Sequence, residues 1–186
     1  PRASSAGDEA HIRNVCGSRL QAAAKRFHRN LLRHGTTTLG IRAGGWSSDA
    51  VAVKALRVAA ALHEHPLDLA ATYLGGHGSA AASAVLLLRL RRLKLAQFAE
   101  LDCEETGRDE ARAREFLRTA RDLGFPLRVH CDQRRHAGGA RLAAEFQAIT
   151  ADHLDFTGRD ELRLLAHSNT IAALTPGPAL CSGSDH

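Results

Sequence analysis

Two histidines that follow short apolar runs are the residues of this sequence best suited to chemistry. Leu127 to Val129 and Ala148 to Ala151 are bounded by polar and turn residues, which is typical of strands buried on both faces. His130 follows the first run and His153 follows the second. The segment between them opens on two glycines at 138–139 and then places apolar residues at helical spacing. The stretch therefore predicts a strand, a helix and a second strand.

Such a unit brings His130 and His153 to the same edge of a sheet, because the carboxyl ends of parallel strands meet there. Neutral imidazole nitrogens are good ligands for zinc, and a carboxylate beside a metal-activated water can act as acid or base. Asp132 and Asp152 adjoin the two histidines. The pattern favours a metal-assisted hydrolase. The alternative is that each histidine is a hydrogen-bonded edge residue with no role in chemistry.

The segments around these histidines resemble imidazolonepropionase, a metal-dependent amidohydrolase of histidine breakdown. HCDQ…GGARLAAEF…ITADHLD is similar to that family's H-A-D-E/Q…GGA-x-LAAE…SADHL. Four further segments match HGTTT-(V/L)-E, TFLGAH, FCE and GTVAVLLPG in the same order: LLRHGTTTL (31–39), LRVAAALHEHPLDLAATYLGGH (56–77), DCEE (102–105) and NTIAALTPG (169–177). The resemblance spans most of the chain.

The resemblance implies a hydrolase that opens the ring of 4-imidazolone-5-propanoate to N-formimino-L-glutamate with a water activated by one Zn²⁺, Fe²⁺ or Fe³⁺ ion. It implies that His130 is a metal ligand and that His153 orients or protonates the substrate. Gln133 stands where the family carries Glu or Gln. A glutamine cannot exchange a proton, so Gln133 could only position substrate or water by hydrogen bonds.

The resemblance also implies three substrate-binding residues. His77, at the end of TYLGGH, matches a substrate-contacting histidine. Trp46 would replace the tyrosine of the family's S-G-Y-G loop from one position along, and Arg42 matches a lysine that precedes this loop. Because the loop from Ala43 to Trp46 differs from the family motif, an amidohydrolase for another cyclic amide is an alternative.

The wider sequence predicts six strands that alternate with helices, which is typical of a parallel α/β sheet. The strands are expected at 36–41, 68–74, 99–103, 127–129, 148–151 and 170–174. Alternation alone allows a barrel or a doubly wound sheet, and the resemblance implies a partial (β/α)₈ TIM-barrel. The first barrel strand, which carries a His-x-His metal pair in the family, would then precede Pro1. A catalytically incomplete barrel fragment is therefore a further alternative.

Some local predictions concern helices. The helix at 18–33 is expected to bury a stripe that includes Leu20, Phe27 and Leu31. Residues 79–98 are expected to form one long helix. Thr157 is expected to cap the helix that ends near residue 167, in a capping box with Asp160.

The predicted organisation is a flexible N-terminal arm (1–15), an amidohydrolase-like barrel portion (16–177) and a C-terminal tail (178–186). The chain of 186 residues begins with Pro1 and contains no Met, so an internal piece or a truncated product is expected.

Composition limits the partners. The net charge is +5, but Arg is interspersed with Asp and Glu and forms no basic arm, so nucleic acid is not expected as a partner. No apolar run is long enough for a membrane span.

The four cysteines lack metal or disulfide spacing and are typical of reduced thiols in a cytoplasmic protein. The expected partners are a small-molecule substrate and further copies of the chain, which would cover unpaired sheet edges.

Overall fold

Six parallel strands alternate with helices and curl into a half-barrel. The computed structural model describes residues 5–45, 48–62, 67–76, 78–106 and 109–177. The strands lie side by side in sequence order: β1 (Thr38–Gly44), β2 (Asp68–Gly75), β3 (Phe98–Asp102), β4 (Leu127–Cys131), β5 (Thr150–His153) and β6 (Ile171–Ala173). The prediction of a partial α/β barrel with six parallel strands is confirmed.

Eight helices are assigned in the described residues: α1 (Ser5–Asn14), α2 (Gly17–Arg33), α3 (Asp49–Ala60), α4 (Ala80–Arg92), α5 (Cys103–Thr106), α6 (Glu110–Asp122), α7 (Gly139–Glu145) and α8 (Arg159–Ala166). Within those residues, no helix has the length and apolar character needed to cross a membrane.

Two helix predictions differ from the structure. Residues 5–14 form α1, where an irregular arm was expected. The helix expected over residues 79–98 is shorter, because α4 ends at Arg92 and Phe98 already begins β3. At its start Ser79 is the N-cap, and its hydroxyl oxygen accepts a hydrogen bond from the N–H of Ala82, as expected of a serine in that position.

The sheet has one apolar face and one polar face because strand residues alternate. Ala99, Leu101, Val129 and Ala151 are fully buried in the hydrophobic core under the helices. The residues between them face the inner, concave side. That side carries an unusual number of charges for the interior of a barrel: Arg42, Glu100, Asp102, Arg128, His130 and Asp152.

The register arranges these polar residues in rows. Glu100 is paired with Arg128, and one step nearer the carboxyl edge Asp102 is paired with His130 and His130 with Asp152. Residues paired in adjacent parallel strands project to the same side of the sheet. The concave face therefore presents a row of alternating carboxylates and imidazole at the carboxyl ends of β3, β4 and β5.

The predicted buried stripe of α2 is wrong at Phe27, whereas Leu20 and Leu31 are partly buried. Phe27 is 56% exposed, and the residue of α2 that is buried is His28, with 2% of its surface exposed. The helix packs against α3. α8 behaves similarly, because Leu165 is buried whereas Leu162 is 44% exposed. In chain order α2 precedes β1 and α8 precedes β6, and each of these two strands pairs with a single described strand.

Candidate functional site

His130 and His153 meet at the carboxyl edge of the sheet. Their ring centroids lie 4.2 Å apart and the ring planes are inclined by 58°. His130 projects from β4 onto the concave face and is buried, whereas His153 ends β5 and is partly exposed. The two residues are 23 positions apart in sequence, and the predicted convergence of their side chains is confirmed. Their chemical roles stay predictions.

A left-handed backbone conformation brings His153 into this contact. Strict alternation after Ala151 and Asp152 would turn the side chain of residue 153 towards the helices. Instead His153 has φ +77°, and Leu154 after it has φ +68°. Histidine is among the residue types that adopt this region more often than most. The turn at the end of β5 therefore directs the ring towards His130.

The ring of His153 is anchored on its other side by Thr175, whose Oγ1 lies 2.6 Å from Nδ1. Burial, and then the adjacent His130, lower the pKa of His153 below its usual value, against the opposing effect of Asp152 and Asp155. The neutral imidazole is therefore favoured, and a neutral ring can donate or accept one hydrogen bond at Nε2, depending on which nitrogen carries the proton.

Asp132 fastens the loop that follows β4 and does not face the histidines. The residue is fully buried. Its Oδ1 accepts a hydrogen bond of 2.6 Å from the N–H of Ala137, and its Oδ2 accepts one of 2.7 Å from the hydroxyl of Thr157. The expected capping role of Thr157 is therefore wrong, since its hydroxyl is used here and Gly158 is the N-cap of α8. The carboxylate ties the loop after β4 to the loop after β5.

Gln133 follows Asp132 and is partly exposed at the start of this loop. The left-handed conformation of Asp132, with φ +43°, separates Gln133 from the regular alternation of β4. Gln133 thus lies just after the carboxyl end of β4, and its predicted hydrogen-bonding role stays a prediction.

Glu104 fixes the other side of the same loop, a feature that the sequence did not reveal. Its carboxylate accepts hydrogen bonds from the backbone N–H groups of Arg134 and Arg135 and from the guanidinium of Arg134. Although burial opposes ionisation, the hydrogen bonds from Arg134 and Arg135 lower the pKa of Glu104 below its usual value. Asp102 in turn accepts hydrogen bonds from the N–H groups of Glu104 and Glu105, at 2.9 and 3.2 Å.

Arg42, one of the predicted substrate-binding residues, reaches across the concave face. Its Nη1 lies 2.6 Å from Oε1 of Glu100, and its side chain is half-exposed. Burial disfavours the charged guanidinium of Arg42, but the adjacent carboxylate of Glu100 favours it. The net result is that the pKa of Arg42 is raised above its usual value. A substrate anion would have to share the guanidinium with Glu100. Trp46 and His77, the other predicted substrate contacts, lie outside the described residues.

A second polar cluster lies at the far side of the loop after β4. Asp132, His136 and Glu161 each offer one ligand atom, and these atoms lie within 4.8 Å of one another. Nε2 of His136 is 2.7 Å from Oε2 of Glu161, and both carboxylate oxygens of Asp132 already accept hydrogen bonds. Through these contacts the cluster links the loop after β4 to α8.

The residues around His130 fit a metal ion in part. A ring nitrogen of His130 is a suitable ligand, and the register places Asp102 and Asp152 on either side of it. Catalytic zinc sites use three protein ligands and keep one position for water. In the described part of the chain, however, no set of three ligand atoms within 4.8 Å of one another includes His130.

Known proteins resemble this chain along most of its length. No protein-family model matches it. The imidazolonepropionase of Bacillus cytotoxicus is 35% identical over 164 residues, which is 81% of this chain and 39% of that protein. The imidazolonepropionases of Bacillus thuringiensis and Bacillus cereus (strain AH187) are each 34% identical over 165 residues, which is 82% of this chain and 39% of each relative. The chain thus spans about two fifths of the length of the relatives that it matches.

Proposed function

We propose that this chain is a portion of an imidazolonepropionase-type hydrolase, which opens the ring of 4-imidazolone-5-propanoate to N-formimino-L-glutamate. The observation that carries the proposal is the contact between the rings of His130 and His153, 4.2 Å apart at the carboxyl edge of a parallel half-barrel. Active sites of (β/α)₈ barrels lie at this edge. The similarity to imidazolonepropionases over 81% of the chain supports the same conclusion.

Each of the described site residues would have a separate role in this reaction. His130 would be one ligand of a Zn²⁺ or iron ion. When bound, such an ion supplies a water that ionises near neutral pH. The neutral ring of His153, whose centroid lies 4.2 Å from that of His130, would orient the substrate by donating a hydrogen bond to it. Gln133 would hold substrate or water by hydrogen bonds, and Arg42 would attract the propanoate carboxylate. The substrate would enter from the open concave side.

The activity is tested by incubating the purified chain with Zn²⁺ or Fe²⁺ and 4-imidazolone-5-propanoate while the ultraviolet absorbance of the ring is followed. We expect slow loss of absorbance that depends on added metal and is abolished by His130→Ala. His34→Ala is the matched control, because His34 is an exposed histidine whose Nδ1 contacts the carbonyl oxygen of Asn30. Absence of turnover with metal present, or equal rates in the two variants, would contradict the proposal.

A second candidate is a catalytically incomplete barrel that associates with further copies of itself. Two observations favour it: the incomplete set of ligands around His130 among the described residues, and the position of β1 and β6 at the ends of the described sheet. Unpaired strand edges invite pairing with another chain. Metal content and solution mass separate the candidates, because a metal-free oligomer supports this one and a monomer with one bound metal contradicts it.

A cytoplasmic location is part of the main proposal. It is supported by the free thiols of Cys16, Cys103 and Cys131, since free cysteines are typical of reducing compartments.

A further inference from the structure

Thr175 touches the candidate site although nothing in the sequence indicates a role for it. It follows β6 and stands where the family motif GTVAVLLPG has a leucine, so the resemblance gives it no function. Its Oγ1 lies 2.6 Å from Nδ1 of His153. A hydrogen bond of this length between a hydroxyl and a ring nitrogen fixes both the rotation of the ring and the nitrogen that is engaged.

The geometry leaves one nitrogen for chemistry. The backbone at His153, with φ +77°, directs the ring towards His130, and Thr175 holds the Nδ1 side. Nε2 is therefore the atom through which His153 can meet a substrate. A neutral imidazole carries a single proton, and whichever nitrogen carries it is a donor while the other is an acceptor.

The hydroxyl of Thr175 decides between these two forms. Among the described residues, Nδ1 of His153 is the only acceptor recorded for this hydroxyl. If the hydroxyl donates to Nδ1, both groups are satisfied. The separation of 2.6 Å favours this direction, because an O–H donor lies about 2.5 to 3.0 Å from its acceptor whereas an N–H donor lies about 2.7 to 3.2 Å from an oxygen.

We infer that Thr175 is a positioning residue that donates its hydroxyl hydrogen to Nδ1 and thereby keeps the proton of the neutral His153 ring on Nε2. This form makes Nε2–H a hydrogen-bond donor to the substrate, and Nε2 in this form cannot bind a metal. The inference rests on the proposed function and deepens it, because it assigns metal binding to His130 and donation to His153.

The test is ¹⁵N NMR of the histidine rings in the whole chain, without metal or substrate, so it does not depend on turnover. The signals of His153 are assigned by their loss in His153→Gln. We expect the Nδ1 resonance to be that of an unprotonated nitrogen and the Nε2 resonance that of a protonated one. Thr175→Val should move both resonances towards the average of a ring that exchanges between its two forms, whereas Thr175→Ser should retain the wild-type pattern.

The outcomes are unambiguous. A protonated Nδ1 in the wild-type chain would overturn the inference, as would a Thr175→Val spectrum identical to that of the wild type. If the valine variant fails to fold, the wild-type spectrum and the serine variant still decide the matter. Loss of the tautomer preference in Thr175→Val without turnover by any variant would uphold this inference and contradict the proposed activity, so the two can fail separately.

Discussion

Replacing Asp132 with alanine should destabilise the protein far more than replacing an exposed aspartate. The Asp132 carboxylate is fully buried and accepts hydrogen bonds from the N–H of Ala137 and the hydroxyl of Thr157. Hydrogen bonds to a charged group contribute about 1.5 to 3 kcal/mol each, and the donors left behind lose their partner. We therefore expect the free energy of unfolding to fall by about 3 to 5 kcal/mol, a large part of the roughly 5 to 15 kcal/mol available to a domain.

Urea unfolding followed by far-ultraviolet circular dichroism measures this change. Asp160→Ala is the matched control, because the Asp160 side chain is 92% exposed and pairs with Arg163 on the surface of α8. A surface ion pair contributes at most about 1 kcal/mol. If Asp132→Ala destabilises no more than Asp160→Ala, the carboxylate does not fasten the two loops.

Two further predictions concern packing and pH. A Cβ atom at Gly75 would lie 2.2 Å from the buried ring of Phe116, so Gly75→Ala should lower the free energy of unfolding by about 2 to 3 kcal/mol through overpacking. Gly40→Ala, in a strand position with nothing within 4 Å, should change it little in the same urea titration, and equal effects would refute the packing argument. The lowered pKa of Glu104 means that its contribution to stability is present above its unfolded pKa of about 4.3 and is lost as pH falls through the lower folded value. Glu104→Gln should therefore flatten the fall in stability below about pH 4.3, and an unchanged slope would show that Glu104 is not the linked group.

The sequence predicted the strands and the meeting of the histidines because both follow from local patterns. Short apolar runs ending in His130 and His153 indicate buried strands whose carboxyl ends share one edge, and the chain forms β4 and β5 there. The buried side of α6 follows from the same kind of local pattern, since Ala113, Phe116, Leu117 and Ala120 lie at helical spacing and are buried.

The other features of the site depend on contacts between distant parts of the chain, which no local sequence pattern indicates. The hydrogen bonds of Glu104 to the loop after β4 join residues about 30 positions apart, and the bond from Thr157 to Asp132 joins residues 25 positions apart. The exposed position of Phe27 was missed because the apolar spacing of α2 does not indicate that His28 is the side chain the helix buries.

The most direct test of the account is a zinc-edge anomalous diffraction measurement on crystals of the chain grown with Zn²⁺. The account predicts one anomalous peak about 2.0 to 2.1 Å from a ring nitrogen of His130, with the ring of His153 in contact and its Nδ1 still bound to Thr175. A peak only at Asp132, His136 and Glu161, or rings of His130 and His153 that point apart, would contradict it.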